Sequence, residues 1–378
     1  MSMIKVNSSA LAAKLAAVVA VCPRRTIKEA LTGVRCYRAK AEDITGQPGG
    51  NMGFAATDLE IGIHVGPASD EWCLVEGAKL VECLKAFDED EISWDELEDG
   101  LLLSGPSGQF LLPYLLKSDH PAPIHPQDDA KAQAIVNGQL FSNGVSSVEH
   151  AVASESSRMV MTGILLRLAG DSIEIHGTDG RRLASCRIPL EQTAPKSKSF
   201  YAVPKAAFRA LSCALSMGKD ASLLISFTPN EVLFKGKDFM IQSRLIEGRP
   251  PEIDAIWPDP KKATVRIQTS RQSMVDALKR ATIMTDPSTK RANISWAEKV
   301  VIATSRDNGG TAQAFVDAAF SGAATGASYN PAYLSEWLKS AKGEEVVLSL
   351  QGPDKPLLMS AVDEESGSNL RGLIMPMT

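Results

Sequence analysis

The chain has 378 residues, 44% of them apolar, so it is too long for one ordinary hydrophobic core and two or three domains are expected. The formal net charge of −5 excludes an overall basic field that would attract nucleic acid, but it does not exclude a local basic surface. There is no run of about 18 apolar residues and no basic-then-apolar start, and the six cysteines lack CxxC spacing, which predicts a cytosolic protein with reduced thiols and no membrane partner.

Two helices separated by strands are predicted in the first third of the chain. Leu11, Leu15 and Val18 recur at helical spacing, and Ser8 or Ser9 can cap that helix at its start. The acidic run from Asp88 to Asp99 lacks the spacing of a calcium loop and is interpreted as a solvated sheet edge. The predicted helices cover 7–22 and 78–87, and the predicted strands cover 54–65 with a break at Thr57-Asp58, 101–103 and 110–116.

The same order of elements recurs twice. In the second round, helices are predicted at 141–154 and 205–215, and strands at 159–168, 171–188, 231–234 and 239–246. In the third round, helices begin at Ser270 and after Asn330-Pro331, and strands are predicted at 294–296, 300–304, 346–350, 356–361 and 373–377.

Landmark residues of the three rounds share one spacing. Thr57 and Thr178 are 121 residues apart, Thr178 and Thr304 are 126 apart, and one third of the chain is 126 residues. A common period of this kind indicates an internal repeat. The predicted fold is therefore α+β, with three tandem similar domains at 1–127, 128–258 and 259–378, each with two helices on an antiparallel sheet.

Motifs of catalysis and nucleotide binding are absent from the sequence. It contains no GxxxxGK[ST], no GxGxxG after a strand, no HExxH and no GxSxG. Of the five histidines only His120 and His125 lie close together, in a Pro-rich linker that is more typical of a solvated loop than of a metal site. No catalytic residue, metal or cofactor is therefore expected.

The sequence Thr178-Asp179-Gly180 has two interpretations. In the first, Asp179 bonds nearby backbone and the glycine permits a positive φ, so that the three residues form a tight turn. In the second, Asp179, Arg181 and Arg182 form the polar site of an α+β enzyme or ligand-binding protein. The turn is favoured because Thr57-Asp58 occupies the same place in the first round, and because no partner base or nucleophile has supporting spacing.

Basic residues recur on and around the predicted helices. Either they belong to ordinary solvated helix faces, or they form one basic surface that contacts phosphates without reading base sequence. The basic residues that would form this surface are Lys14, Lys79, Lys85, Lys205, Arg209, Arg271, Lys279, Arg280, Lys339 and Lys342.

Four motifs occur in order along the repeat. They are Ala56-Thr57-Asp58-Leu59-Glu60, Gly177-Thr178-Asp179-Gly180-Arg181-Arg182-Leu183-Ala184, Ser243-Arg244-Leu245-Ile246-Glu247-Gly248-Arg249 followed by Pro251, and Met375-Pro376-Met377. Together they resemble the β subunit of bacterial DNA polymerase III, the sliding-clamp family. The resemblance is distant, as for a divergent member, and it covers the whole chain.

This resemblance implies a non-enzymatic processivity factor. It implies a head-to-tail homodimeric ring around duplex DNA, with helices lining the hole, sheets outside and no dependence on base sequence. The residues that would face the DNA are Lys14, Arg24, Arg25, Lys79, Lys85, Lys205, Arg209 and Arg280. The implied partners are the DNA polymerase III catalytic subunit, the clamp loader and other proteins with a clamp-binding motif. The implied dimer interface contains Phe110, Leu112, Ile283 and Met284, although the pair Ile283-Met284 could also be ordinary core.

The resemblance also implies a cleft for short, partly apolar peptides of partner proteins. Methionine side chains are unbranched and polarisable, which suits a groove that receives varied apolar side chains. Arg182 and the backbone of the turn are expected to fix a polar or carboxylate end of the peptide. The matching residues are Met161, Thr178, Gly180, Arg181, Arg182, Leu183, Pro251, Ile256, Asn330, Tyr333, Ile374, Met375, Pro376 and Met377.

Overall fold

The structure, a computed structural model, describes residues 4–38, 52–67, 70–121, 132–197, 200–217, 222–259, 262–296, 299–323, 325–363 and 368–377. The chain divides into two compact units, the first formed by Met1–Gln139 and Val203–Leu245 and the second by Leu140–Ala202 and Ile246–Thr378. The predicted domain boundaries at 127/128 and 258/259 remain predictions, and the first of them lies outside the described residues.

Helices and antiparallel strands alternate along the described chain, which confirms the predicted α+β class. The helices are α1 (Ser8–Val19), α2 (Gly77–Lys85), α3 (Gly138–Glu149), α4 (Lys205–Ser216), α5 (Ile253–Ile256), α6 (Arg271–Thr282) and α7 (Pro331–Ser340). The strands are β1 (Ile4–Asn7), β2 (Gly33–Arg38), β3 (Met52–Thr57), β4 (Ile61–Val65), β5 (Asp70–Glu76), β6 (Glu91–Glu96), β7 (Gly100–Gly105), β8 (Gly108–Pro113), β9 (Ala132–Asn137), β10 (Gly163–Leu168), β11 (Ser172–Thr178), β12 (Arg182–Pro189), β13 (Tyr201–Pro204), β14 (Ser222–Phe227), β15 (Glu231–Lys235), β16 (Phe239–Arg244), β17 (Val265–Ser270), β18 (Ala292–Trp296), β19 (Val300–Ser305), β20 (Thr311–Val316), β21 (Ala319–Gly322), β22 (Thr325–Tyr329), β23 (Glu345–Leu350), β24 (Leu357–Asp363) and β25 (Ser368–Ile374).

The first unit contains an eight-stranded sheet and a four-stranded sheet. The strand orders are β5-β2-β3-β4-β16-β15-β14-β9 and β1-β6-β7-β8. Helix α1 packs against α2, α4 and strands β3 and β4, and it does so through one apolar stripe on which Leu15 and Val18 are fully buried.

The start of α1 differs in detail from the prediction. The side chain of Asn7 accepts a hydrogen bond of 2.8 Å from the backbone nitrogen of Ala10, so Asn7 is the N-cap. The prediction that Ser8 or Ser9 caps this helix was wrong, because Ser9 instead donates to the same Asn7 side chain.

The second unit contains a nine-stranded sheet and a four-stranded sheet. The strand orders are β13-β10-β11-β12-β25-β24-β23-β17-β21 and β20-β19-β18-β22. Helix α6 packs against β19 and β20, and α7 packs against α6 and β25. Helix α6 begins after Ser270, as predicted, and the Ser270 hydroxyl caps it by accepting from the backbone nitrogen of Ser273.

Two stretches that were predicted to be solvated are ordered parts of the first unit. The acidic run from Asp88 to Asp99 contains β6, which pairs with β1 on one side and β7 on the other, so it is an interior strand and not a sheet edge. His120 is buried, and its ring Nδ1 accepts a hydrogen bond of 2.9 Å from Nε of Arg35. His125, its predicted neighbour in the linker, lies outside the described residues.

Two predicted strands of the second unit have different ends. Residues Met159–Thr162 form a 3₁₀ turn before β10, so Met161 lies in a turn and not in a strand. The last strand, β25, ends at Ile374, and Met375 to Met377 follow it outside the strand.

The turns 57–61 and 178–182 have the same hydrogen bonds. In each, the threonine Oγ1 donates to the carbonyl oxygen four residues later, at 2.9 Å in the first turn and 2.7 Å in the second. In each, the next residue is an aspartate whose carboxylate accepts from the backbone nitrogens two and three residues later. The third residue has a positive φ in both turns, 82° for Leu59 and 86° for Gly180. The recurrence supports the interpretation of Thr178-Asp179-Gly180 as a turn.

Replacing Leu59 by glycine is expected to stabilise the protein. A leucine at a φ of 82° carries a strain of about 1–2 kcal/mol, because its Cβ crowds the backbone. Glycine removes that strain but adds about 0.5–1 kcal/mol of unfolded-state entropy to the cost of folding. Since Leu59 is 46% exposed, little apolar burial is lost, and the free energy of unfolding in a urea titration should rise by about 0.5–1 kcal/mol.

The matched control is Leu59→Ala, which removes the isopropyl group beyond the Cβ but keeps the Cβ. This variant should show no gain in stability. An equal gain in both variants would contradict the strain argument.

Candidate functional site

The turn 178–182 uses its polar groups internally. Oδ1 of Asp179 accepts from the backbone nitrogens of Arg181 at 2.9 Å and Arg182 at 3.0 Å, and Oδ2 accepts from Nε of Arg182 at 3.0 Å. Because both oxygens are engaged, Asp179 holds the turn and orients Arg182. The hypothesis of an enzyme or ligand site at Asp179, Arg181 and Arg182 is therefore not favoured.

Two glycines of this motif are required by close approaches. A Cβ on Gly177 would lie 2.4 Å from the carbonyl oxygen of Val148 in α3, so only glycine lets β11 pass that close to the helix. Gly180 has a φ of 86°, and a Cβ there would lie 3.3 Å from Cε of Met161. The turn is thus packed onto Met161.

The residues after β25 are held beside this turn by backbone hydrogen bonds. In the pairing of β12 with β25, Arg182 lies opposite Ile374. The backbone nitrogen of Met375 then donates to the carbonyl oxygen of Arg181 at 2.9 Å, and that of Met377 donates to the carbonyl oxygen of Ser328 at 2.8 Å. The structure therefore brings the turn and the apolar tail together.

A buried apolar cluster lies next to the turn and the tail. Its members come from both sides of the β12–β25 pairing: Ala153, Val160, Met161, Leu165, Leu183, Ala202, Ile253, Leu358 and Leu373. Met375 and Ile256 lie close in sequence to the cluster members Leu373 and Ile253, and both expose their side chains to solvent. An apolar floor with exposed apolar and polar groups around it is the usual arrangement for oriented ligand binding.

The guanidinium of Arg182 connects three side chains. Its Nε donates to Asp179, its Nη1 donates to Oε2 of Glu336, and its carbon Cζ lies 4.1 Å from the ring centroid of Tyr333. Tyr333 and Glu336 are three residues apart on α7 and therefore share one helix face. The helix is fixed at its start by Asn330, whose side chain accepts from the backbone nitrogen of Ala332 at 3.0 Å.

A second arginine anchors α5. Nη1 and Nη2 of Arg167 donate to the two carboxylate oxygens of Asp254 at 2.6 and 2.8 Å, and Nε donates to Glu174 at 2.8 Å. The guanidinium carbon lies 4.4 Å from the ring centroid of Phe200. The hydrogen bonds that Arg167 donates to Asp254 and Glu174 raise the pKa of its guanidinium above the usual value. This bidentate pair fixes the short helix that carries Ile256.

The predicted cleft residues fall into three groups. Met161, Thr178, Leu183 and Ile374 are buried and form the support of the site. Gly180, Arg181, Arg182, Tyr333 and the residues Met375, Pro376 and Met377 reach the surface around the turn, with Asn330 at the start of α7. Pro251 and Ile256 lie on the α5 segment, which joins the cluster through Ile253.

Sequence reasoning missed three contributors to this site. Glu336 contacts Arg182, while Ile253 and Leu358 belong to the apolar cluster. The spacing of Glu336 from Tyr333 on one helix face was a usable signal for the first of these. No local pattern distinguishes Ile253 or Leu358 from other core residues.

Two matches with family models cover well over half of the chain. Residues 135–252 match the central domain of the DNA polymerase III beta subunit, and residues 259–378 match its C-terminal domain. The chain belongs to the DNA polymerase III beta subunit family.

Full-length relatives agree with this membership. The beta sliding clamp of Streptomyces coelicolor is 26% identical over 99% of this chain and 98% of its own length. The chain also superimposes on the DNA polymerase III beta subunit of Pseudomonas aeruginosa with a TM-score of 0.84 at 19% identity, each chain being covered fully. A Pseudomonas aeruginosa sliding clamp bound to griselimycin gives a TM-score of 0.86 at 20% identity, over 100% of this chain and 99% of the other.

The predicted DNA-facing residues of this family member differ in their exposure to solvent and in their ion pairing. Five are exposed in their units: Arg24, Arg25, Lys85, Arg209 and Arg280. Lys79 is also exposed but pairs with Glu82 at 2.8 Å, and Lys14 and Lys205 are only half-exposed. Burial lowers the pKa of Lys14 from its usual value.

The predicted interface residues also differ in exposure. Ile283 is 66% exposed, so the alternative that it is a core residue was wrong, and Met284 is half-buried. Phe110 is at the surface, where its ring packs edge-on against Phe87. Leu112, in contrast, is only 5% exposed and packs within its own protomer.

Across the described residues, no helix is both long and apolar enough to cross a membrane. Within the same residues, no group of three His, Cys, Asp or Glu side chains is placed to hold a metal ion.

A histidine lies close to the Arg182 network. His150, just after α3, has its Nδ1 3.1 Å from the hydroxyl of Ser340 in α7. Burial first, and then the positive charge of Arg182, lower the pKa of His150 from 6.5 to about 4. His150 is therefore neutral at pH 7 in the folded chain.

This depressed pKa predicts a loss of stability in mild acid. The unfolded chain binds a proton at His150 near pH 6.5, whereas the folded chain does not. The stability that comes from keeping His150 neutral is therefore fully present above pH 6.5 and is lost as the pH falls towards 4. Replacing His150 by asparagine should reduce the drop in the free energy of unfolding between about pH 7 and pH 4.5 by roughly 1–2 kcal/mol. Urea titrations at several pH values measure that drop.

Ser340→Ala is the matched control for this experiment. It removes the hydroxyl beside His150 but no titrating group, so the drop with pH should persist. An unchanged drop in His150→Asn would show that His150 does not carry the acid sensitivity.

Proposed function

We propose that this DNA sliding clamp closes as a homodimeric ring around duplex DNA and tethers the replicative polymerase through the cleft between the turn 178–182 and the tail 375–377. The family members that it matches are sliding clamps, accessory subunits of DNA polymerase III, and this chain has that non-catalytic role. The proposal of a cleft is supported by one observation, which is that the turn, the tail and the apolar cluster lie together. The polymerase III catalytic subunit, the clamp loader and other proteins with clamp-binding peptides are its proposed partners, in the cytoplasm.

Ring closure is supported by two outer strands with exposed apolar side chains. In the described part of the chain, β8 ends one four-stranded sheet and β20 ends the other. Leu111 on β8 is 51% exposed, and Phe315 on β20 is exposed as well. Unpaired, apolar strand edges favour pairing with another chain. We propose that β8 of one protomer meets β20 of its partner, a head-to-tail contact that repeats twice in a closed dimer.

The exposed Ile283 fits the same proposed interface. It follows α6, and α6 packs on β20. A Cβ on Gly310, which precedes β20, would lie 3.4 Å from Sδ of the neighbouring Met284. Ile283 therefore extends the apolar surface of the β20 edge. On β8, the proposed interface uses Leu111 in place of Leu112, which the family resemblance had implied.

DNA binding is proposed to use the exposed cations on and around the helices, such as Arg24, Lys85 and Arg209. Lysine and arginine contacts to phosphate release counterions and carry no base information, so binding should weaken steeply with salt. Contacts of this kind are exchangeable, which suits a protein that moves along DNA.

Topological retention is the deciding prediction. The protein should have a mass of about twice 40.4 kDa, and after loading by the clamp loader it should stay on nicked circular DNA and leave when the circle is cut. Gel filtration of loaded DNA before and after linearisation measures this. Equal retention on linear and circular DNA would rule out the ring.

Ile283→Lys tests the interface in the same assay. A lysine at this exposed position should not disturb the protomer but should break the apolar contact, so the mass falls to 40.4 kDa and retention is lost. Ile27→Lys is the matched control, because Ile27 is a fully exposed isoleucine outside the proposed interface. A dimer that survives Ile283→Lys would place the interface elsewhere.

Deleting residues 375–378 tests the cleft. Because β25 ends at Ile374, the sheet should remain intact, but the wall formed by Met375 and Met377 is lost. Binding of a fluorescein-labelled hexapeptide of serine, leucine and phenylalanine should weaken by at least about tenfold in fluorescence anisotropy. The dimer mass should not change. Unchanged peptide affinity would contradict the cleft assignment.

A further inference from the structure

We propose that Glu336 determines which peptide ends the cleft accepts, by occupying the guanidinium group that a peptide carboxylate would otherwise use. This inference rests on the proposed function of the cleft, and it revises the expectation that Arg182 fixes a carboxylate. It concerns the charge preference of the site and not the existence of the site.

Arg182 already has two carboxylate partners. Nε is engaged by Asp179 and Nη1 by Glu336, and one face of the guanidinium is covered by Tyr333. The Arg182 side chain is only 12% exposed, so these charge-assisted bonds are partly shielded from water. A third carboxylate could bond only the N–H groups that remain, and it would be repelled by both carboxylates already present.

Glu336 is the partner that can be displaced. Asp179 is 18% exposed in its side chain and also accepts from two backbone nitrogens of the turn, so releasing it would open the turn. The Glu336 side chain is 44% exposed and projects from a helix that is already capped by Asn330 and packed on β25. Removing its charge therefore changes the electrostatics of Arg182 without removing the support of the turn.

The other charged or titratable groups near Arg182 cannot take over the role of the Glu336 carboxylate. Arg181 is exposed on the same turn and keeps its positive charge in every variant considered. His150 is neutral at the pH of the assay, because its pKa is lowered to about 4. With two arginines and two carboxylates, the intact site is balanced, and a peptide end without charge is accepted as readily as a carboxylate.

Two probes measure this preference directly. Both are the fluorescein-labelled hexapeptide of serine, leucine and phenylalanine, one with a C-terminal amide and the other with a free C-terminal carboxylate. The intact clamp should bind them with affinities within about twofold of each other. In Glu336→Gln the affinity for the carboxylate probe should rise about fivefold relative to the affinity for the amide probe. This difference should shrink when NaCl is raised from about 50 to about 500 mM.

Asp171→Asn is the matched control. Asp171 precedes β11 at the end of the hairpin opposite to the turn, where it pairs with Arg187, so this variant removes an equal charge away from the cleft. The ratio of its affinities for the carboxylate and amide probes should equal that of the intact clamp. Glu336→Asp, which restores the charge on a shorter side chain, should return the ratio towards the original value.

The outcomes separate the inference from the proposed function. If Glu336→Gln binds the amide probe normally and shows no change in the ratio, Glu336 does not set the charge preference, while the cleft stands. If the intact clamp binds neither probe, the cleft assignment fails, and this inference fails with it.

Discussion

The antiparallel pairing of β12 with β25 positions the turn 178–182 and the tail 375–377 of the candidate cleft side by side. It sets Arg182 opposite Ile374, so the residues that follow β25 leave the sheet beside the turn that precedes β12. It also places α7, which packs on β25, within reach of the Arg182 side chain. A slip of β25 by one residue in this register would turn Leu373 away from the apolar cluster.

Two arginines of the second unit have the same kind of surroundings. Arg182 bridges Asp179 and Glu336 and lies over Tyr333, while Arg167 bridges Glu174 and Asp254 and lies over Phe200. The planar guanidinium suits this arrangement, because it donates in several fixed directions and stacks on a ring at the same time. In both cases the arginine comes from a strand of the nine-stranded sheet, and one carboxylate comes from a helix further along the chain. The two contacts hold α5 and α7 against the same sheet.

Much of this architecture was predictable from local pattern. The helices α1, α4, α6 and α7 follow apolar stripes, and the turns 57–61 and 178–182 follow from a threonine and an aspartate at a repeated position. Strand β2 was missed because it is buried on both faces and shows no alternation. The N-cap was misplaced because Asn7 and Ser8 are both good capping residues, and only the geometry separates them.

The parts that sequence could not supply depend on distant partners. His120 is buried because Arg35, 85 residues earlier, donates to it, and nothing in the linker itself signals that contact. Glu336 meets Arg182 across 154 residues. The cleft residues came from family resemblance, since the turn and the tail carry no local sign that they adjoin.

The distance along the chain between β12 and β25 has a consequence for folding kinetics. Their pairing joins residues about 190 positions apart, and contacts of such long range form slowly because a large loop must close first. Until β25 arrives, β12 has only β11 as its neighbour, and its other edge is open to pairing with a strand of another chain. We therefore expect the candidate cleft to be among the last features to form, after the nine-stranded sheet is complete.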